Sequence, residues 1–401
     1  MTLKSLLITS FSCLVLAFSC NNTGDGSRAT KSQGVFNCID GGLDGAQEGI
    51  LRAKLNADFK TKQLDTLFKR RAKFGFNGAV LIAQRGVVLY KNSFGYADIR
   101  AKDTLKIDSK FQLASLSKTF TAIAALKLVE AQKLSLDDSV RRFFPDFPYK
   151  NVYIRSLLSH RSGLPNYAYV LTDSVRKRNP YPNNADIMRW LAAVKPKPYN
   201  YPNRNFGYCN TNYSVLASII EKVSGMSFEA YLQQVIFKPL GMNNTFLVTS
   251  KNDSLHLNTT VGHQYGHKLP KDNYDDILGD KGVYSTAEDL YRWYKGINSD
   301  CILRADLRKE AFTPRSFERG GIKNYGYGFR MHVADSTRTA KYIYHTGWWK
   351  GYNTLMWFSP KDEFVIIILT NRYDRSVYQI KPLLEILHGK EQPSDIEKDM
   401  F

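Results

Sequence analysis

Acidic residues are scarce in this sequence, cysteines are few, and no apolar run is long enough to cross a bilayer as a helix. Of 401 residues, 37 are acidic and 56 are Lys or Arg, a formal net charge of +19. Such a balance attracts polyanions. No nucleic-acid motif accompanies it, so nucleic acid is not an expected partner. The anionic cell envelope is a more natural neighbour, and a scattered solvated surface is sufficient by itself. The five cysteines include no close pair with metal-ligand spacing, which argues against thiolate metal sites. The apolar run 6–19 is too short for a spanning helix. No internal repeat is present, so a solenoid or propeller array is excluded. What is there instead is ordinary globular composition, 43% hydrophobic and 23% charged. Disorder is therefore expected only near the ends.

The amino terminus reads as an export signal, with Lys4 as a short basic start and 6–19 as the apolar core. It ends in Ala17-Phe18-Ser19-Cys20, which resembles a bacterial lipobox. Ala17 stands where leucine is usual, and Phe18 where a smaller residue is usual. The expectation is cleavage before Cys20 and lipidation of its sulfur; plain secretion and a retained anchor are the alternatives. Asn21 and Asn22 follow the cysteine in place of an acidic residue. By resemblance to lipoprotein sorting, this favours an outer-membrane lipoprotein facing the periplasm; release into the periplasm is the other reading. The expected organisation is a signal peptide 1–19, a flexible tether 20–43 rich in Gly, Ser, Asn and Thr, a domain 44–390 and a polar tail 391–401. With Cys13 removed and Cys20 lipidated, Cys38, Cys209 and Cys301 remain. An odd count in an oxidising compartment leaves at least one free thiol.

Residues 78–84 form an apolar run, Arg85-Gly86 is a turn signal, and 87–90 continue apolar. Residues 342–345, 352–358 and 364–370 read as three more strands, the last two joined by Ser359-Pro360-Lys361-Asp362-Glu363. The spacing of Leu51, Leu55, Phe59, Leu64, Leu67 and Phe68 predicts a helix over 50–74. A closing helix is expected over 377–387, with Pro382 in its first turn. Between the ends, 115–132, 211–224 and 228–237 read as helices, and 167–208, with its prolines, tyrosines and asparagines, as loop. Strands at both ends and helices between them predict an α/β fold. One mostly antiparallel sheet, formed by both chain ends and flanked by helices, would carry an inserted, mainly helical subdomain over about 119–325, with the active site at their junction.

Ser115-Leu116-Ser117-Lys118 opens a strong helix former, and spacing of three puts Ser115 and Lys118 on one helix face. An alcohol is a weak nucleophile that needs a nearby base. An amine can serve if burial or positive neighbours discourage its charge. At a helix start, the serine N–H also points toward a developing oxyanion. A second copy, Ser174-Val175-Arg176-Lys177, is followed by Asn179-Pro180 and not by a helix former; it is discounted. Y-x-N occurs at Tyr90, Tyr149, Tyr181, Tyr201 and Tyr208. Only Tyr208-Cys209-Asn210 lies between a loop and a strong helix. A tyrosine there can relay a proton to a leaving group, and Asn210 can hydrogen-bond a substrate. His345-Thr346-Gly347-Trp348 follows a strand, and Gly347 would let a substrate backbone approach its edge.

These three motifs, in this order, resemble the active site of the serine β-lactamase and penicillin-binding-protein superfamily. The branch is that of class C β-lactamases, D-Ala-D-Ala carboxypeptidases, D-aminopeptidases and related esterases. Leu157-Leu158-Ser159-His160-Arg161-Ser162-Gly163-Leu164, Gly282-Val283-Tyr284-Ser285-Thr286 and Lys238-Pro239-Leu240-Gly241-Met242 are similar to further family stretches. The resemblance covers about 78–371. It implies a β-lactamase/transpeptidase-like fold with Ser115 as nucleophile and Lys118 and Tyr208 sharing the proton work. It also implies an oxyanion hole from the N–H groups of Ser115 and Trp348, substrate binding by Asn210, His345, Thr346, Gly347 and Trp348, and no cofactor or metal. His345 replaces a lysine of class C β-lactamases, so weak or no β-lactamase activity is implied. The implied substrates are peptidoglycan-type D-amino-acid peptides or small esters. A reading from another class is a non-hydrolysing, penicillin-binding envelope sensor or scaffold.

His263-Gln264-Tyr265-Gly266-His267 has zincin-like spacing but lacks the glutamate after its first histidine, so no metal is expected there. Trp348, Trp349, Tyr352 and Trp357 read as strand packing, with Trp349 the candidate exception that would face a ligand.

Overall fold

The computed structural model describes residues 42–388, except 172–178, 251–258, 271–272, 319 and 335–336. The signal peptide, Cys20, nearly all of the tether, the second S-x-x-K and the polar tail lie outside the described residues.

Helices α1 (Gly45–Lys54) and α2 (Ala57–Lys73) precede strands β1 (Gly78–Gln84) and β2 (Val87–Phe94). The single helix expected over 50–74 is two, because Asn56 takes φ 50° between them and breaks the right-handed run. The middle of the chain carries α3 (Lys118–Glu130), α4 (Asn184–Val194), α5 (Asn210–Ser224) and α6 (Ala287–Ile297). The chain then returns through β3 (Lys323–Tyr325), β4 (Arg330–Val333), β5 (Ala340–Trp349), β6 (Tyr352–Ser359) and β7 (Phe364–Thr370). It closes on α7 (Lys381–His388), with Pro382 in its first turn.

The sheet order is β3-β4-β5-β6-β7-β1-β2, with every neighbour antiparallel. The two chain ends meet where β1 pairs with β7, from Gly78 opposite Thr370 to Gln84 opposite Phe364. Alternate side chains feed two cores. Ala79, Leu81, Val365, Ile367 and Leu369 pack toward the middle helices. Val80, Ile82, Phe364, Ile366 and Ile368 pack beneath α2 and α7. A strand covered on both faces has no solvated side, which is why these segments read as unbroken apolar runs.

Helix α3 is buried nearly all round, from Lys118 to Leu126, and so runs through the core. The segment 167–208, expected as loop, contains α4. The Asn183 side chain caps it by accepting the N–H groups of Ala185 and Asp186. Pro180 and Pro182 before it and Pro196 and Pro198 after it mask the helical period of Ile187, Trp190 and Leu191. The insertion also carries short strands at Phe246–Leu247, His263–Gln264, His267–Lys268 and Val283–Ser285. Among the described residues, no helix is long and apolar enough to cross a membrane. Cys301 is disulfide-bonded, and Cys209 is a buried free thiol.

Candidate active site

Ser115 lies on a 3-10 turn, Ala114–Ser117, and α3 starts only at Lys118. The helix expected from 115 therefore begins three residues later. Ala114 is held at φ 50°, a region that L-residues other than glycine rarely enter. The surroundings impose it. Leu113 N–H donates to Val283 O at 2.8 Å, and Thr354 Oγ1 of β6 donates to Leu113 O at 2.8 Å. Val283 N–H in turn donates to Ser117 Oγ at 3.2 Å. From 111 to 126, Ser115 is the one residue that is not buried.

Lys118 is fully buried, and its Nζ donates to Ser115 Oγ at 3.1 Å and to Asp280 O at 2.8 Å. The rings of Tyr208 and Tyr213 lie 5.1 Å and 5.8 Å from the same nitrogen. The start of α5 brings Tyr208 and Asn210 to this point. Its Cys209 N–H donates to His160 Nδ1 at 3.1 Å, and Asn212 Nδ2 lies 3.1 Å from the same ring nitrogen. His160 thus clamps the Y-x-N turn, and its neutral ring carries the proton on Nε2. Asn210 Oδ1 is buried with no protein hydrogen-bond partner, and Tyr208 Oη is buried with only the Arg330 guanidinium beside it. An orphaned polar atom such as Asn210 Oδ1 is uncommon in native proteins.

His345 is buried on β5. Its Nδ1 faces Thr346 O at 2.8 Å, and its Nε2 faces Tyr325 Oη at 3.2 Å. The carbonyl fixes a proton on Nδ1, so Nε2 accepts from the phenol. Burial first, then Arg330 and Lys118, hold the His345 pKa well below 6.5. Burial, Lys118, Arg330 and His345 do the same for His160. Both rings are therefore neutral. Protonation favours the unfolded chain, so their contribution to stability is full above the unfolded value of 6.5 and is lost as pH falls toward the folded values. Thermal scans should show the melting temperature falling between about pH 7 and about pH 5, with a shallower slope in His345→Gln.

Gly347 packs against the nucleophile turn and β6. A Cβ there would stand 2.1 Å from Leu113 O, 2.2 Å from Thr354 Oγ1 and 3.1 Å from Ala114 Cβ. The chain's own nucleophile turn approaches the strand at this glycine. Thr346 is partly exposed, and Trp348 is 59% exposed. Trp349 is half-buried and donates from Nε1 to Asp275 Oδ1 at 2.9 Å. Of the two neighbouring tryptophans, Trp348 is the more exposed.

The structure adds a cation that motif reading missed. Arg330 lies on β4 opposite Tyr344 of β5, with its guanidinium carbon 4.8 Å from the Tyr208 ring centroid. Burial works against its charge, but the phenols of Tyr208, Tyr344 and Tyr325 outweigh burial and raise its pKa. Its Nε has no protein partner. It lines a cavity of about 520 Å³ with Phe206, Lys323, Asn324, Tyr325 and Tyr344. The available signal was a lone arginine between Phe329 and Met331.

The chain matches the sequence model of the Beta-lactamase family over residues 64–388. It is 35% identical over 368 residues to penicillin-binding protein 4* of Bacillus subtilis (strain 168), covering 84% of this chain and 80% of that protein. It is 26% identical over 302 residues to a D-aminopeptidase of Brucella anthropi, covering 74% of this chain but only 56% of that protein. A solved octameric penicillin-binding protein homologue from Pyrococcus abyssi superposes with a TM-score of 0.69 at 26% identity, covering 81% of this chain and 76% of that one.

Proposed function

Because the chain belongs to the Beta-lactamase family, we propose that it is an exported serine hydrolase working through an acyl-serine intermediate. The observation that carries this reading is the 3.1 Å contact between Oγ of Ser115, the one residue of its turn that is not buried, and the buried Lys118 Nζ. Ser115 Oγ attacks a substrate carbonyl while its proton passes to Lys118. The N–H groups of Ser115 and Trp348 receive the oxyanion. Tyr208, whose ring lies 5.1 Å from Lys118 Nζ, delivers a proton to the leaving group. Water then enters by the reverse proton path and frees the acyl product and Ser115. Asn210 Oδ1, which has no protein partner, accepts from the substrate amide.

The substrates proposed are peptidoglycan-type D-amino-acid peptides or small esters, in keeping with the penicillin-binding protein and D-aminopeptidase relatives. Neutral His345 supplies no cation, so the fixed positive charge that meets a substrate carboxylate is Arg330. Weak β-lactamase activity at most follows from the missing lysine at 345. Residues 44–390 are proposed as the catalytic unit, held at the outer membrane through lipidated Cys20. The disulfide at Cys301 supports an oxidising compartment.

The test is intact-protein mass after mixing with a fluorescent penicillin, a D-alanyl dipeptide ester and p-nitrophenyl acetate in turn. A Ser115-dependent adduct with at least one reagent is expected, absent in Ser115→Ala, with multiple turnovers on the ester. Adducts without turnover on any reagent would leave the penicillin-binding sensor in its place.

A further inference from the structure

Three aromatic rings, those of Trp348, Tyr373 and Tyr265, follow one another in a row. Trp348 stands at the end of β5, next to the Gly347 that packs on the Leu113–Ala114 backbone. Its ring centroid is 6.5 Å from that of Tyr373, which is 6.3 Å from that of Tyr265. Tyr265 is 80% exposed at the tip of the hairpin formed by His263–Gln264 and His267–Lys268.

This tip is built at a cost. Tyr265 and Gly266 take φ 49° and 79°, the paired positive values of a two-residue hairpin turn that favours Asn-Gly. An aromatic side chain is a poor choice for that backbone, and such strain tends to persist at functional positions. The hairpin base is fastened to the sheet. His263 N–H donates to Asn371 O at 2.7 Å, and Tyr373 N–H donates to His263 O at 3.0 Å. The two histidines take separate partners, buried His263 facing Asp98 and exposed His267 facing Arg100. The segment therefore works as a rigid mount for an exposed ring.

Lys268, Arg372 and Arg375 are exposed and neighbour Tyr265 and Tyr373 in the sequence; Arg372 Nη1 also donates to Gly75 O at 3.1 Å, which leaves Lys268 and Arg375 as the cations without that tie. Aromatic faces accept the apolar faces of sugar rings, and the cations accept carboxylates. A purely apolar partner would desolvate those charges without pairing them, and an acidic peptide would leave the ring faces uncovered. We propose that Trp348, Tyr373 and Tyr265 form a subsite for a carboxylate-bearing glycan strand. Only its coupling to catalysis, holding a polymer whose peptide reaches Ser115, rests on the hydrolase reading above.

The full chain carrying Ser115→Ala is titrated, with tryptophan fluorescence as readout, against a hyaluronan oligosaccharide, polyglutamate and anionic phospholipid vesicles. Saturable binding of the oligosaccharide is expected, weakened about tenfold by Tyr265→Asn and by Tyr373→Ala, with polyglutamate and vesicles indifferent to both changes. Tyr265→Asn suits the left-handed backbone and so removes the ring without disturbing the turn. In the Ser115 chain, the same two variants should keep wild-type turnover of p-nitrophenyl acetate. No oligosaccharide binding, binding untouched by either variant, or vesicle binding that both variants abolish would overturn the subsite. Loss of ester turnover in the wild-type chain with oligosaccharide binding intact would instead remove the hydrolase reading alone.

Discussion

Lys118→Met should slow acylation by p-nitrophenyl acetate by about 10²- to 10⁴-fold, the range set by removal of a positioned proton acceptor. The side chain is fully buried and makes two polar contacts, to Ser115 Oγ and Asp280 O. Methionine fills similar space without the amine, so packing is largely retained while the proton path is lost. The Asp280 carbonyl loses its donor, at a cost of about 1–3 kcal/mol. Removing a buried polar head from the core offsets part of that, so the variant should stay folded. The double variant Ser115→Ala, Lys118→Met should be no slower than Ser115→Ala alone, because residues acting as one unit do not add. Stopped-flow acylation and a thermal scan together decide it. A Lys118→Met chain that acylates at the wild-type rate would remove the lysine from the proton path.

The second large effect is expected at Gly347. Its added Cβ would meet backbone oxygen at 2.1 Å, and no rotamer change can relieve a clash with main chain. Gly347→Ala should push β5 away from the Leu113–Ala114 turn, which Thr354 and Val283 otherwise hold in place. Overpacking of this kind costs about 1–3 kcal/mol of stability. A displacement of about 1 Å between strand and nucleophile costs about 10²-fold in rate. kcat/KM for the ester should therefore fall by about that factor in protein that is still folded. Gly49→Ala is the matched control, since open space surrounds that position in α1, and its activity should be unchanged. Equal rates for the two variants would mean that the strand and the turn need not touch.

The parts of the fold legible in the sequence were those where burial leaves a plain pattern. β1, β6 and β7 are covered on both faces, so their apolar runs mark them almost to the residue. β3 and β4 escaped because they are three and four residues long and carry Lys323, Asn324, Arg330 and His332. The α1–α2 break escaped because it depends on one left-handed Asn56 inside a continuous apolar spacing. At the site, Ser115 and Lys118 lie three residues apart, so local geometry alone predicts their contact. Asp280 O and Arg330 come from distant segments and are joined to them only by the fold. Gly347 was legible as a close approach, but which backbone approaches is a matter of tertiary packing.

The pairing of β1 with β7 also governs when the molecule becomes itself. Ser115 and Lys118 are made early, but β5 leaves the ribosome some 230 residues after Ser115, and β7 later still. Until that last stretch arrives, β1 has only β2 beside it, and the nucleophile turn has the short strand Val283–Ser285 but neither β5 nor β6 to set it. Closing so long a loop is entropically unfavourable and makes topologies of this kind slow to form. Competence for acyl chemistry should therefore appear late and all at once, with the final strands acting as the fold's own timer.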